Sequence, residues 1–240
     1  STSGQILQGS GILQTQLTSK DASETMISVT GDHISIKDMK LQCGVLSTNP
    51  STANTVAINS SGNYCVYENI LTNQWALGIQ LSGGIRVTIE KCRIICDTHS
   101  YIGIDISGGG ENTVVNNMVQ ASSDSFDGLA LIYVYESPAN VISNNYVTRG
   151  KAKGIYVTAL PGSYNNNYVV IENNDIDYLW NRGIYVQNFK QVHIKNNWLS
   201  AGQRLQGATV AQSATGQIQL RDCNEFFVTN NDIYQSQGEY

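Results

Sequence analysis

One short phrase recurs along most of this 240-residue chain and constrains its fold more than any other feature. Each copy has alternating apolar and polar residues, a two-residue corner that is often a pair of asparagines, and a second alternating run. The eight copies occupy residues 34–41, 66–71, 89–94, 114–119, 142–147, 171–176, 194–199 and 228–233. Their spacing, roughly 23 to 34 residues, is typical of a solenoid.

Alternation with a period of two predicts a β-strand on each side of the corner. A third apolar run precedes each of these strand pairs, often directly after a glycine that marks a bend. These runs are residues 56–58, 79–81, 104–106, 132–134, 155–157, 184–186 and 218–220. Strands of one repeat pair with their equivalents in the next. The pattern therefore predicts an all-β fold, a single-stranded parallel β-helix of eight to nine coils with three short strands each.

Asparagine dominates the corner between the second and third strands. A tight bend needs a residue near the left-handed region, which asparagine tolerates well, and stacked amides can hydrogen-bond from coil to coil. We therefore assign a structural role to this column, which contains Asn69, Asn117, Asn145, Asn174, Asn197 and Asn231, with Met39 and Cys92 in its gaps.

The repeat covers nearly the whole chain, so we predict one domain over residues 1–240, with residues 1–25 as an irregular opening coil. No capping helix is evident at either end, which favours a piece of a longer protein or a subunit whose ends are covered. The net charge of −5 and the lack of a basic run argue against a nucleic-acid partner. No apolar stretch approaches the roughly 18 residues of a membrane span, and no signal peptide is visible.

The five cysteines predict free thiols. Cys43 and Cys96 share a strand column but lie two coils apart, about 9.6 Å, which exceeds the reach of a disulfide. Cys65 is expected to face outward, Cys92 lies in the asparagine column, and Cys223 completes an odd number. Unpaired cysteines favour folding in a reducing compartment.

The glycine-led strand followed by Val-x-Ile-x-Asn-Asn-x-Ile resembles the right-handed parallel β-helix superfamily of pectate lyases over residues 5–235, and within it bacteriophage tailspikes. The resemblance is specific for fold, because this scaffold hosts lyases, hydrolases, epimerases and non-catalytic binders. The sequence lacks the Arg-x-Pro-x-x-Arg of pectate lyases, the Asn-Thr-Asp, Gly-His-Gly and Arg-Ile-Lys set of polygalacturonases, and the Asp-Pro-His-Glu of alginate epimerases. Tailspikes have no short signature, and their resemblance implies a homotrimer of rods packed side by side.

Outward positions of the first strand form a candidate sugar-binding column. Three tyrosines in consecutive coils offer ring faces and hydroxyls on which sugars can stack. Tyrosine is also favoured in strands for packing reasons alone. The column contains Ala57, Gln80, Asp105, Tyr133, Tyr156, Tyr185 and Gln219.

The outward column of the third strand holds the candidate catalytic pair. It contains Lys40, Ile70, Arg93, Met118, Tyr146, Asp175, Trp198 and Asp232. Asp175 thus lies between Tyr146 and Trp198, and Asp177 points the same way about 6.6 Å along the strand. That separation is near the lower limit for an inverting glycosidase, whose two carboxylates must leave room for a water. Trp180 follows in the adjoining loop, although solvated aspartates are also common on strand exteriors.

Three further acids are reserves. Asp105 lies in mid-strand, where aspartate is disfavoured, and Asp127 and Glu136 flank the tyrosines. No outward column stacks acids on successive coils, as a calcium site would require, and the histidines lack zinc spacing. We expect neither a metal nor another cofactor.

These features favour a tailspike-like protein that binds and hydrolyses a bacterial surface polysaccharide, either capsule or O-antigen. It would fold in the host cytoplasm and reside in the phage tail. One alternative is an extracellular polysaccharide lyase or hydrolase of cellular origin. Another is a non-catalytic receptor-binding or structural rod of a virion.

Overall fold

The computed structural model describes residues 4–19, 25–44, 55–97, 100–123, 125–163, 168–179, 181–201 and 217–235. These residues form 24 strands, numbered β1 to β24 in chain order, and include no helix. Every pairing between these strands is parallel. Within the same ranges, no helical segment has the length and apolarity of a membrane span.

The first strands of successive coils pair into one sheet, here called the first ladder. It runs in the order β3 (Thr25–Val29), β5 (Val56–Ser60), β7 (Leu77–Ser82), β10 (Ile102–Ser107), β13 (Ala130–Tyr135), β16 (Lys153–Thr158), β19 (Ile184–Gln187) and β22 (Ile218–Arg221).

The second and third strands belong to a larger sheet, because two early strands continue through the corner. Those two are β4 (Ser35–Cys43) and β6 (Val66–Asn73). The second ladder comprises β1 (Ile6–Gln8), the first halves of β4 and β6, β8 (Thr88–Glu90), β11 (Thr113–Val115), β14 (Asn140–Ser143), β17 (Val169–Glu172), β20 (Val192–Lys195) and β23 (Phe226–Thr229).

The third ladder completes the coils. It comprises β2 (Gln16–Ser19), the second halves of β4 and β6, β9 (Arg93–Cys96), β12 (Met118–Ala121), β15 (Tyr146–Gly150), β18 (Asp175–Leu179), β21 (Trp198–Ala201) and β24 (Asp232–Gln235). With eight strands in the first ladder, the described residues confirm a parallel β-helix of eight to nine coils.

Inward side chains of each ladder stack on their equivalents and fill the interior. In the first ladder a continuous column of isoleucines is fully buried, and each contributes about 1.5–3 kcal/mol relative to an exposed side chain. The column contains Ile58, Ile79, Ile104, Ile132, Ile155 and Ile184. Period-two alternation therefore sends the intervening residues of these strands to the outer surface.

The asparagine column forms the predicted hydrogen-bonded ladder. The side-chain nitrogens of Asn117, Asn145, Asn174 and Asn197 each donate to the side-chain oxygen of the next asparagine at 2.9–3.0 Å. The same oxygens accept backbone N–H groups from the preceding coil, for example Asn174 N to Asn197 Oδ1 at 3.0 Å. These amides are buried, so the ladder satisfies polar groups that would otherwise be costly inside the corner.

Positive φ occurs one residue earlier than the sequence analysis expected. It occurs at Asn116, Asn144, Asn173, Asn196 and Asn230, while the following asparagine points inward and makes the ladder. In each pair, the first asparagine thus adopts the left-handed conformation of the corner, and the second makes the hydrogen bonds of the ladder.

The assignments of Asn69 and Ile70 were each wrong by one position. Asn69, with φ of 52°, belongs to the positive-φ column, and Ile70 takes the inward position in register with Met39. Leu71, not Ile70, therefore occupies the outward third-ladder column beside Arg93. A copy with one asparagine and adjacent apolar residues fits both registers, and a one-residue slip reverses every side chain.

Ala57 likewise does not belong to the outward column of the first ladder. Asn59 pairs with Gln80 and fills that place, while Ala57 is fully buried. The run from Val56 to Ile58 is apolar throughout, so alternation could not reveal its register.

The five cysteines are unpaired, as predicted. Cys43 and Cys96 end strands β4 and β9, which are separated by β6, and Cys92 lies in the inward corner column. The expectation that Cys65 faces outward was wrong. Tyr67, rather than Val66, faces inward in this coil, so Cys65 two residues earlier faces inward as well. Its buried thiol donates a hydrogen bond to the Gly31 carbonyl oxygen at 3.5 Å.

Candidate functional site

The outward tyrosines of the first ladder form a stack of rings. Tyr133, Tyr156 and Tyr185 are in register on consecutive strands. The ring centroids are 5.3 Å apart for Tyr133 and Tyr156 and 5.0 Å apart for Tyr156 and Tyr185. Tyr135 continues the aromatic surface, 6.3 Å from Tyr133. We call these four side chains the tyrosine ladder. Tyr133, Tyr135 and Tyr156 are half-buried, whereas Tyr185 is only 7% exposed.

Two cations lie over this ladder, and the sequence analysis missed both. The Lys153 ammonium nitrogen is 4.6 Å from the ring centroid of Tyr156, and the Arg182 guanidinium carbon is 4.7 Å from that of Tyr185. Each belongs to a repeated tetrapeptide, Lys-Gly-Ile-Tyr at 153–156 and Arg-Gly-Ile-Tyr at 182–185. That repetition is the signal that could have found them.

The glycine of the tetrapeptide is required by close packing. A Cβ on Gly154 would lie 2.6 Å from the carbonyl oxygen of Gly183, so only glycine lets the two coils approach here. The cation before it and the tyrosine after it are therefore brought to the same place in each coil.

Asp105 precedes the tyrosine ladder in the same column, in register with Gln80 and Tyr133. Although its position is outward, its side chain is buried among neighbours, with 5% exposure. It accepts hydrogen bonds from Ser107 Oγ at 2.7 Å and Gln80 Nε2 at 2.9 Å. Burial raises the pKa of Asp105, partly offset by these two hydrogen bonds.

The other two reserve acids, Asp127 and Glu136, lie near the two ends of β13, the strand that carries Tyr133 and Tyr135. Glu136 directly follows β13 in a turn with φ of 48°, and its side chain is half-buried. Asp127 is exposed in the segment before β13. Both thus flank the tyrosine ladder in the chain, but neither shares a strand column with Asp175.

The third ladder brings together the predicted catalytic neighbourhood. Asp175 is in register with Tyr146 on one side and Trp198 on the other. Trp198 remains 37% exposed and lies 5.8 Å from the ring of Tyr234. The structure confirms this arrangement of an exposed acid between two aromatic side chains.

Asp175 and Asp177 differ in their surroundings. Partial burial, and then the negative charge of Asp177, raise the pKa of Asp175. Asp177 accepts hydrogen bonds from the Ser200 hydroxyl and from the backbone N–H of Tyr178, the latter at 2.8 Å. Protonation is thus favoured at Asp175, whereas hydrogen-bond donors hold the Asp177 carboxylate in place.

A groove adjoins this pair on the third ladder. It has a volume of about 340 Å³ and is lined by Gln120, Ala121, Tyr146, Thr148, Arg149 and Tyr178. Two lining residues, Tyr146 and Thr148, are in register with Asp175 and Asp177, so the groove lies on the neighbouring coil, and neither carboxylate lines it. Trp180, the remaining predicted binding residue, lies outside the described residues.

The predicted site residues therefore fall into two groups on different sheets. Asp105 and the tyrosines belong to the first ladder, whereas Asp175, Asp177, Tyr146 and Trp198 belong to the third. The sequence analysis placed the two groups in the outward columns of the first and third strands, and these columns belong to different sheets.

The statement that no outward column stacks acids was wrong. Glu68 and Glu90 are in register on adjacent coils of the second ladder. Lys91 neutralises them, with its ammonium nitrogen 2.7 Å from Glu68 and 3.8 Å from Glu90. Among the residues that the structure describes, no group of three or more His, Cys, Asp or Glu side chains could hold a metal ion.

The family model for the right-handed beta helix region matches residues 6–163 and 127–239. The chain belongs to this family. No curated protein sequence matches it.

Solved β-helix structures resemble the chain at low sequence identity. The A-module of a mannuronan C-5 epimerase from Azotobacter vinelandii has a TM-score of 0.63 at 16% identity, covering 97% of this chain and 71% of that module. The Dettilon tailspike protein has a TM-score of 0.64 at 13% identity, covering 92% of this chain and 51% of the tailspike. A DFA-IIIase from Arthrobacter chlorophenolicus has a TM-score of 0.58 at 12% identity, covering 85% and 61%.

The chain thus spans about half of the tailspike and three fifths of the DFA-IIIase. At such identities the similarity shows the shared fold, and chemistry must be argued from side chains.

Proposed function

We propose that this chain is a tailspike-like β-helix that binds a bacterial surface polysaccharide, capsule or O-antigen, and hydrolyses it. The observation that carries the proposal is the stack of Tyr133, Tyr156 and Tyr185, with rings 5.0–5.3 Å apart along the rod. Half-buried aromatic side chains on consecutive coils, Tyr133 and Tyr156, suit a polymer of repeating sugars, while Tyr185 is only 7% exposed and stacks on Tyr156.

Hydrolysis is assigned to Asp175 and Asp177. Asp175, with its raised pKa, would donate a proton to the leaving oxygen as general acid. Asp177 would activate a water as general base. Two residues in one strand separate the pair by about 6.6 Å, which is compatible with an inverting mechanism. Tyr146 and Trp198 would hold the sugar on either side of the acid.

A polysaccharide panel tests this proposal. Purified chain is incubated with capsular and O-antigen polysaccharides while reducing ends and the ultraviolet absorbance of unsaturated sugars are recorded. New reducing ends without absorbance support hydrolysis, and Asp175→Asn should abolish them. Asp232→Asn removes an exposed carboxylate from the same outward column and is the matched control. Unsaturated products would instead establish a lyase and exclude the two-carboxylate mechanism.

Binding is measured separately. Tyr156→Ala should weaken binding about tenfold or more, since a stacked aromatic contributes on the order of 1–3 kcal/mol. Tyr64→Ala, which removes an exposed tyrosine from a turn, is the control. Binding to no polysaccharide of the panel would contradict the proposal.

One observation favours a non-catalytic binding rod as the second candidate. The tyrosine ladder and the Asp175–Asp177 pair are on different sheets, so a glycan on the first ladder would not by itself meet the acids. Binding that depends on Tyr156, without cleavage and unaffected by Asp175→Asn, would identify this function.

Assembly and location are part of the same proposal. Rods of this kind would associate as a homotrimer and reside in a phage tail, whereas a cellular enzyme would act outside the cell as a monomer. Light scattering of the purified chain discriminates between trimer and monomer.

A further inference from the structure

The cations above the tyrosine ladder occupy equivalent positions in neighbouring coils. Lys153 and Arg182 each stand two residues before paired isoleucines, Ile155 and Ile184. The backbone N–H of Gly154 donates to the Arg182 carbonyl oxygen at 3.0 Å, which fixes the two coils against each other at this point. The two positive side chains are therefore neighbours on one face.

Their surroundings are unfavourable for positive charge. Burial, and then repulsion by Arg182, lower the pKa of Lys153. The Nε atom of Arg182 is buried without a hydrogen-bond partner among the described residues. Placing two partly desolvated cations side by side costs free energy unless an anion compensates it.

Several other cations on the exterior of this rod have carboxylate partners. Arg86, Lys91 and Lys195 are 2.6, 2.7 and 2.8 Å from Glu111, Glu68 and Glu172 respectively. For Lys153 and Arg182, no such ion pair occurs within the parts of the chain that the structure describes. The sequence segments 164–167 and 202–216, next to these coils in the chain, contain neither aspartate nor glutamate.

The geometry points to an acidic polysaccharide as the ligand of the tyrosine ladder, with a sugar carboxylate bound between Lys153 and Arg182. This inference rests on the proposed polysaccharide-binding function and specifies its substrate class. Tyr185 is only 7% exposed and lies under the Arg182 guanidinium. The guanidinium fork matches a planar carboxylate, and the half-buried Tyr156 ring supplies an adjoining surface for the sugar. A uronic acid combines both groups in one residue.

The test uses pairs of polysaccharides that differ only in charge. Each uronic-acid-containing capsular polysaccharide of a panel is immobilised as such and after carbodiimide–borohydride reduction, which converts carboxylates to alcohols. Neutral polysaccharides such as dextran are included. Binding of the intact chain is compared with that of Lys153→Gln and Arg182→Gln. Lys195→Gln and Arg93→Gln remove equivalent charges from other faces and are the controls.

We expect wild-type binding to fall about tenfold on carboxyl reduction and about tenfold in each ladder variant, as for loss of one charged hydrogen bond. The variants should no longer discriminate native from reduced polymer, Lys153→Arg should restore discrimination, and the controls should behave as wild type. Unchanged melting temperatures establish that the variants are folded.

Failure of this inference and failure of the proposed function give different results. Tyr156-dependent binding to neutral or reduced polymers with unchanged affinity would overturn the acidic ligand and leave polysaccharide binding standing. Binding to no polysaccharide at all would overturn the proposed function, and this inference with it.

Discussion

Asn145 and Asn174 hydrogen-bond across neighbouring coils, with Asn145 Nδ2 donating to Asn174 Oδ1 at 3.0 Å. Asn145 Nδ2 also donates to the Val114 carbonyl oxygen at 2.9 Å, and its Oδ1 accepts both the backbone and side-chain N–H of Asn117 at 3.0 Å. A single buried amide thus connects three coils.

Replacing this amide should destabilise the rod strongly. Asn145→Ala leaves several buried groups unsatisfied, so we expect the free energy of unfolding to fall by about 2–4 kcal/mol in urea titrations. Asn144→Gly is the matched control, because Asn144 has φ of 55° and glycine adopts that conformation without strain. If Asn145→Ala lowers the free energy of unfolding by less than about 1 kcal/mol, the hydrogen bonds of the amide ladder do not stabilise the rod as expected.

The proton affinity of Asp175 should depend on Asp177. Burial and the neighbouring charge raise the pKa of Asp175 above the ordinary value of 3.8, so carboxyl NMR of labelled aspartate should show a late titration. Asp177→Asn removes the charge and should lower the pKa of Asp175, without returning it fully because burial persists. Asp232→Asn should leave it unchanged. If Asp175 acts as the acid, activity falls as pH rises through this pKa.

Asp105 should make stability depend on pH. Burial raises the pKa of Asp105 in the folded state, so folding favours the protonated form. Its contribution to stability is complete below the unfolded pKa and is lost as pH rises through the folded pKa. As the pH rises from acidic to neutral, the free energy of unfolding of Asp105→Asn, measured by urea titration, should therefore increase relative to that of the wild type. An exposed carboxylate is removed by Asp127→Asn, the control, and a pH-independent difference in Asp105→Asn would refute the expectation.

Native thiol labelling should be confined to Cys223. Cys43, Cys65, Cys92 and Cys96 are buried, whereas Cys223 is half-buried. Burial raises the pKa of Cys92 to about 12 and also raises that of Cys96. Maleimide labelling followed by mass spectrometry should give one adduct at most in the native protein and five after unfolding without reductant. Fewer than five in the unfolded protein would reveal a disulfide.

The repeat in the sequence was sufficient to predict the fold. Alternation of period two identified the strands, and the asparagine pairs identified the corner, because both depend on local backbone geometry and on burial of one face. The register of Tyr146, Asp175 and Trp198 also followed, since each lies directly after an unambiguous pair of asparagines.

Predictions failed where the local pattern was ambiguous. In the coil containing Tyr67, one asparagine replaces the pair and apolar residues are adjacent, so Asn69, Ile70 and Cys65 were misplaced. Only stacking against the coils on either side decides such a register, because each strand must match both neighbours.

The sequence by itself determined which residues face outward in regular coils, since a strand with one buried face has a fixed alternation. It could not determine what surrounds an outward residue. The burial of Asp105 and Tyr185, and the cations over Tyr156 and Tyr185, arise from contacts between coils. Those contacts join residues distant in sequence, so only the tertiary structure decided them.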